Sequence, residues 1–371
     1  MFSKHSIRSD LRNNTLRILS IALAASFAMP ALAAPKPAEV KIFGDWAVAC
    51  DNGQTCEMTA LAHGDDVSDT GVDGFDSLAD ISVKRPGGPA GAVEVWIGFN
   101  GFMADNGVPD KSSLYTLAVD GRRIASGRYG ESGITYKGAE AMQIAQALGG
   151  GHALTLTDAT GKAVARNSLD GSSASMRYMD AQQARAGSVT ALVAKGSKPA
   201  SAVPAAAALP VLSIKGSVGT PAVPTAAEIE KMRKLSGCET DGDNRAPFTT
   251  AALNGGATLV LLSCGAGAYN SNEVPFVING SGATRRIEYA RFDVQGGWGE
   301  EDGRPSLVNS FWDEKALTLS SFVKGRGLGD CGGGESWVWD GAMFRLHNAL
   351  GMSTCRGSMN WLTTWRANIT R

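Results

Sequence analysis

Apolar and polar residues alternate with a period of two along several short stretches of this chain, as they do in half-buried β-strands. Val93, Val95, Ile97 and Phe99 alternate with Glu94, Trp96 and Gly98, and Leu154 and Leu156 alternate with Thr155 and Thr157. Phe43 to Cys50 and Cys56 to Leu61 read as two strands flanking Asp51-Asn52-Gly53, a hairpin signal. Leu114 to Val119 runs into Asp120-Gly121 and then Arg122, which predicts a second hairpin. Further along, Thr258 to Cys264, Val274 to Asn279, Ile287 to Val294 and Leu317 to Phe322 are strand candidates. Trp337-Val338-Trp339, Asp340-Gly341 and Met343 to Leu346 form another hairpin pattern.

Helical patterns are few. Ala139 to Leu148 is rich in helix formers and stops at Gly149-Gly150-Gly151. Ser172 or Ser173 is placed to cap a helix through about Arg185. Ala226 to Leu235 has Thr225 at the cap, Glu228 at the capping-box position and Gly237 after its end. Between the second and third helices, Pro199, Pro204, Pro210, Pro221 and Pro224 interrupt a run rich in Ala, Ser and Val. Such a run is extended, and its apolar content suggests packing against a surface. The pattern therefore predicts a mainly β chain with a few short helices (α+β). It divides into an antiparallel, β-sandwich-like domain over 37–187, an Ala/Pro-rich linker over 188–224 and an antiparallel β meander or sandwich over 225–371.

The first 33 residues carry a different pattern. Lys4, Arg8, Arg12 and Arg17 precede the apolar run Ile18 to Ala28, and Ala31-Leu32-Ala33 offers a small-x-small cleavage site. Residues 1–33 thus read as a bacterial signal peptide cleaved after Ala33. The expectation is a periplasmic or secreted protein with no transmembrane anchor after cleavage. Lys+Arg 35 against Asp+Glu 36 excludes a strongly basic surface, and with it nucleic acid as the main partner.

All six cysteines, Cys50, Cys56, Cys238, Cys264, Cys331 and Cys355, follow the leader. An even count in an exported chain implies disulfides. Cys50 and Cys56 flank one hairpin loop as a cross-strand pair. Cys238–Cys264 with Cys331–Cys355 is the favoured arrangement of the other four, and a swap between those two bridges is the alternative. No C-x2-C spacing supports zinc, so no metal and no cofactor are expected.

The segment from Phe43 through Asp45-Trp46, Val48 and Cys50 to Asn52, with Cys56 following, resembles the start of an exported bacterial family catalogued as domain of unknown function 1176. Cys355-Arg356-Gly357, Trp361 and Trp365-Arg366-Ala367 resemble its end, so the likeness covers nearly the whole mature chain. The F-x-D-W-x-V-x-C opening is also similar to the invasion-associated locus B family, a single domain like the N-terminal half. The larger resemblance implies export and disulfides, and it implies no activity or catalytic residues.

Chemistry-bearing residues are sparse. His63, His152 and His347 lie at no metal-ligand or catalytic spacing, and edge or surface roles account for them. Gly329-Asp330-Cys331-Gly332-Gly333 matches a nucleophile elbow with Cys in place of Ser, but a disulfide at Cys331 would remove the thiolate. Asp65, Asp66, Asp69, Asp73, Asp76 and Asp80 crowd one segment without EF-hand spacing, and Asp241-Gly242-Asp243-Asn244 reads as a turn. Glu300, Glu301 and Asp302, with Asp293 as a distant partner, could supply hydrolase carboxylates. Trp298, Trp312, Trp337, Trp339, Trp361 and Trp365 concentrate in the C-terminal half. They are either its core or, with Arg345, Arg356 and Arg366 beside them, a face that binds envelope glycan or a protein partner. The candidate ligand-binding set is Trp337, Trp339, Trp361, Trp365, Arg356 and Arg366. The resulting expectation is a non-catalytic binding or protective factor, with a periplasmic hydrolase acting on glycan or peptide as the alternative.

Overall fold

The computed structural model describes Met1 and residues 34–63, 79–99, 112–214, 216, 219–238, 246–296, 299–301 and 304–371. The leader, Asp65 to Asp76, Asp241 to Asn244, Trp298 and Asp302 lie outside the described residues.

The N-terminal half contributes β1 (Lys41–Phe43), β2 (Trp46–Cys50), β3 (Cys56–Ala60), β4 (Ala79–Arg85), β5 (Glu94–Phe99), β6 (Leu114–Val119), β7 (Arg122–Arg128) and β8 (Ile134–Lys137). Then come α1 (Gly138–Gly150), β9 (Ala153–Thr157), β10 (Ala163–Ser168) and α2 (Ser172–Gln182). Two antiparallel sheets result, ordered β1-β2-β3-β4-β5-β8 and β10-β9-β6-β7. Their facing side chains enclose one core with Ile144 and Leu148 of α1 and Met176 and Met179 of α2.

Period-two geometry explains how β2 serves two cores at once. Trp46, Val48 and Cys50 point into the N-terminal core, while Ala47 and Ala49 point the other way. There they meet Cys331, Met352 and Leu362. Both faces of the strand are covered, so all five of its residues are buried.

After β11 (Val211–Ser213) and α3 (Ala226–Ser236), the C-terminal half is a β-sandwich. One sheet holds β12 (Phe248–Ala252), β13 (Thr258–Ala266), β14 (Ser271–Asn279), β15 (Arg286–Tyr289), β16 (Gly299–Glu301) and β17 (Arg304–Val308). The other is a meander of β18 (Phe311–Asp313), β19 (Thr318–Lys324), β20 (Gly332–Trp339), β21 (Phe344–Met352) and β22 (Leu362–Arg366). Leu259, Leu261, Leu307, Leu319, Trp337, Phe344 and Leu346 fill the space between the two sheets. Met232 of α3 covers the outer face of the first sheet, against Val260, Leu262 and Phe276.

The α3 cap forms as its residues predict. The Thr225 hydroxyl accepts from the Glu228 amide and the Glu228 carboxylate accepts from the Thr225 amide. The α2 cap differs from expectation. Gly171 occupies the cap with φ 85°, and the Ser172 hydroxyl instead donates to the Leu148 carbonyl at 2.9 Å. α2 stops at Gln182 because Ala184 turns left-handed and the amides of Arg185 and Ala186 return to the Asp180 carbonyl. The strand expected over 287–294 also ends early, at Tyr289, since Phe292 turns away to bridge Phe344.

The Pro-interrupted run is a strap pinned at a few buried points. Its start is held by Asp180, whose carboxylate accepts the amides of Leu192, Val193 and Ala194 at 2.8–3.1 Å. Leu192, Val203, Leu212 and Ile214 are buried. β11 pairs in parallel with β23 (Asn368–Thr370). Every other ladder between the named strands is antiparallel. Residues Ala34–Arg371 form one compact unit. Among the described residues no helix is long and apolar enough to cross a membrane.

Candidate functional site

A surface groove of about 660 Å³ lies between the β6–β7 hairpin and the C-terminal half of α1. Its walls are Val119, Asp120, Arg122, Arg123, Ile124, Gln143, Gln146, Ala147, Gly150 and Gly151. Asp120 and Gly121 form the tight hairpin turn, both with positive φ (49° and 78°). A register shift follows, with Leu117 opposite Ala125 but Ala118 opposite Arg123, which leaves Ile124 as a bulge. A bulge breaks the strict alternation of a strand, and successive residues 122, 123 and 124 thereby line one wall. The opposite wall comes from Gln143 and Gln146, three positions apart on one helix face. The groove floor requires glycine at 151, where a Cβ would lie 2.1 Å from Val119 Cγ1.

Asp120 is held in place. Its carboxylate accepts the backbone amides of His152 (3.1 Å) and Ala153 (3.0 Å), and His152 Nδ1 lies 3.3 Å away. These amide hydrogen bonds, the Ala153 one foremost, keep the carboxyl below its usual range. Arg123 donates to the Ser126 hydroxyl at 2.9 Å. Arg122 is exposed and has no hydrogen-bond or ion-pair partner among the described residues.

A second, smaller cavity of about 240 Å³ opens at the mouth of the C-terminal sandwich, between the edge strands β12 and β18. Thr249, Ala251, Leu259, Leu261 and Trp312 line it, with Phe311, 55% exposed, on its rim.

The six residues expected to bind ligand do not form one surface. Trp337 is 0% exposed and donates its indole N–H to the Val294 carbonyl at 2.9 Å, and Trp339 is 6% exposed beside Phe344. A ring so enclosed has no face to offer a ligand, so the correction is that these two fill the sandwich core. Trp361 stacks on Phe322 with centroids 4.5 Å apart, and Trp365 packs against the sandwich core. Arg356, 8% exposed, reaches into the N-terminal half, where it donates to the Gly44 carbonyl at 2.8 Å, to the Ala62 carbonyl and to the Asp45 carboxylate. Arg366 pairs with Asp51 and donates to Thr55 Oγ1 at 2.7 Å.

Other candidate groups are also engaged internally. His63 Nδ1 lies 2.7 Å from Asp45, and that contact raises the imidazole's pKa. His347 Nδ1 donates to the Ala367 carbonyl, and burial lowers its pKa. Asp293 accepts the Leu346 amide, and burial raises its pKa. Asp80 sits in β4, where burial pushes its pKa up to about 6 against the opposing hydrogen bonds of the Met359 amide and the Ser358 hydroxyl. The cysteines pair as Cys50–Cys56, Cys238–Cys264 and Cys331–Cys355. Asp330, Cys331 and Cys355 lie close together, but the two sulfurs are bonded to each other and Asp330 is hydrogen-bonded to Arg326 and the Gly357 amide. The elbow-like Cys331 therefore carries no thiolate.

Arg122, Arg123, Gln143 and Gln146 were not among the residues the chain's motifs bring forward. Their only sequence signals are an Arg-Arg pair directly after a hairpin turn and two glutamines at helical spacing.

Comparison with known proteins agrees with the six-cysteine resemblance. The chain is 31% identical over 212 residues to the uncharacterized protein YpfG of Escherichia coli K12, a match covering 53% of this chain and 59% of that relative. Invasion associated protein B from Bartonella henselae is a structural neighbour at 20% identity and a TM-score of 0.28, covering 39% of this chain and 99% of that one. The model of the family described as "protein of unknown function (DUF1176)" matches residues 40–368, and the chain belongs to that family.

Proposed function

We propose that this chain is an exported protein of the bacterial cell envelope that acts by binding, with the β6–β7/α1 groove as its ligand site. The observation that carries this reading is the chemistry of the groove wall. Arg122, Arg123, Gln143 and Gln146 supply hydrogen-bond donors, while Asp120, the carboxylate of that wall, is already held by two backbone amides. Such a wall can hold a ligand, and its one carboxylate, kept below the usual range by backbone amides, is a weak base. A volume of about 660 Å³ falls within the usual range of ligand sites. Three disulfides and the leader pattern support export. The two halves are read as domains clamped through the strap and the buried seam around Arg356.

The test is thermal denaturation of the mature protein against a panel of peptidoglycan fragments and envelope polysaccharides, with mass spectrometry of each recovered compound. The expected result is a raised Tm with at least one compound, recovered unchanged. Cleavage of that compound would replace this reading with the hydrolase alternative, and absence of any shift across the panel would remove the groove as a glycan site.

A further inference from the structure

We infer that the groove selects an acidic oligosaccharide, with Arg122 and Arg123 receiving a sugar carboxylate and Gln143 and Gln146 receiving hydroxyls. This rests on the proposed binding function and names the ligand class of the same site.

Charge argues first. The guanidinium of Arg122 has no protein partner among the described residues, and that of Arg123 meets only the neutral Ser126 hydroxyl. The opposing negative groups are Asp120, whose oxygens already accept two amides, and the C-terminal end of α1, equivalent to about half a charge. Two guanidiniums exceed that sum. Guanidinium also pairs with a carboxylate through two parallel N–H donors, the geometry for which arginine is suited.

The shape and lining of the groove narrow the class further. Its apolar wall is limited to Val119, Ile124 and Ala147, and it contains no aromatic face. A neutral sugar commonly needs a ring to stack on, which the groove lacks, and since β7 is an edge strand an acidic peptide is the competitor that the experiment must separate. The groove instead offers two amide side chains at i and i+3, each with an acceptor oxygen and two donors, which suits a row of hydroxyls. The bulge at Ile124 is what brings both arginines to the same wall as this pair.

Isothermal titration of the mature protein with trigalacturonate, chitotriose and triglutamate tests this at low salt and at 0.5 M NaCl. Trigalacturonate should bind, at least about tenfold more tightly than the other two, and lose affinity in salt. Arg122→Gln with Arg123→Gln should weaken it about tenfold or more, and Gln143→Ala with Gln146→Ala should weaken it with the salt dependence retained. Equal binding of chitotriose, unaffected by the arginine substitutions, would overturn the acidic class while leaving the binding function standing. Tighter triglutamate binding would assign the site to acidic peptides and overturn the proposal. Unchanged trigalacturonate affinity with a lowered Tm in the arginine variant would show that the arginines only support the end of α1. No binding of any probe would overturn the inference, and the envelope panel would then decide separately whether the groove binds at all.

Discussion

Arg356 and Asp45 form a buried ion pair across 311 positions of sequence. Arg356 directly follows Cys355, just beyond the loop closed by the Cys331–Cys355 bridge, and Asp45 precedes β2 in the turn after Phe43. The same guanidinium donates to the Gly44 and Ala62 carbonyls, so one side chain holds three points of the N-terminal half. Removing it leaves the buried Asp45 carboxylate with His63 as its remaining ion-pair partner and takes a charged donor from two carbonyls. Arg356→Ala should destabilise the fold by about 3–5 kcal/mol in urea denaturation. Arg356→Lys should recover only part of that, because an ammonium lacks the planar fork. A loss below about 1 kcal/mol for the alanine variant would show that the pair does not hold the seam.

Asp80 gives the seam a pH dependence of definite sign. Burial raises its pKa from 3.8 to about 6 in the folded protein. The proton is held by the folded state where the unfolded state has released it. The contribution to stability is therefore complete below pH 3.8 and is lost as pH rises through about 6. Asp80→Asn keeps an acceptor for Met359 N–H and removes the charge. The variant should be more stable than the parent by about 2–3 kcal/mol at pH 7.5 and nearly equal to it at pH 3.5. His347, whose pKa is lowered by burial, acts with the opposite sign over its own range, so the difference between variant and parent is the quantity to measure. A gain that is the same at both pH values would contradict this account.

The three bridges should not be equivalent. Cys50–Cys56 spans 6 positions, against 26 for Cys238–Cys264 and 24 for Cys331–Cys355. Loop-closure entropy then gives about 2 kcal/mol for the short bridge and about 3.5 kcal/mol for each long one. Paired Cys→Ser variants measured by denaturant melts should follow that order. Disulfide mapping without reduction should recover these three pairs with no free thiol.

The Pro-rich run makes a test of the strap. Its backbone joins β23 at Leu212, and Leu209 reaches Gly53 in the N-terminal hairpin. Limited proteolysis of the native protein should spare bonds between 200 and 214, and Leu212→Ala should lower stability by about 2–3 kcal/mol. Early cleavage within 200–214 would show that this segment opens on its own.

What the sequence reveals and what it hides divide along physical lines. Local chemistry was legible: the Thr225–Glu228 capping box, the Asp120-Gly121 turn and the Cys50–Cys56 pair all depend on residues within a few positions of one another. β4 was not, although Ala79, Ile81 and Val83 alternate with Asp80, Ser82 and Lys84, because Asp80 reads as the end of the acidic segment before it. The role of the tryptophans depended on which sheet they would face. Trp337 stands in register with Leu319 of β19, and Leu319 with Trp312 of β18, so this row points into the sandwich. The groove was hidden for a similar reason. A bulge leaves no mark in composition, and only the paired register of β6 and β7 shows that Arg122 and Arg123 share a wall. Arg356 and Arg366 were visible as charged residues beside tryptophan, but their partners at Asp45 and Asp51 lie more than 300 positions earlier.

Coverage of β2 from both sides has a consequence for how the chain matures. Its inner face is covered by core residues of the same half, but Ala47 and Ala49 wait for Met352 and Leu362. During synthesis β2 emerges roughly 300 residues before its second cover. Until then it has no complete native state to settle into, so assembly cannot finish piecemeal from the N-terminus. Closure of the Cys331–Cys355 bridge, which sets Arg356 beside the N-terminal half, is thereby a late step of folding.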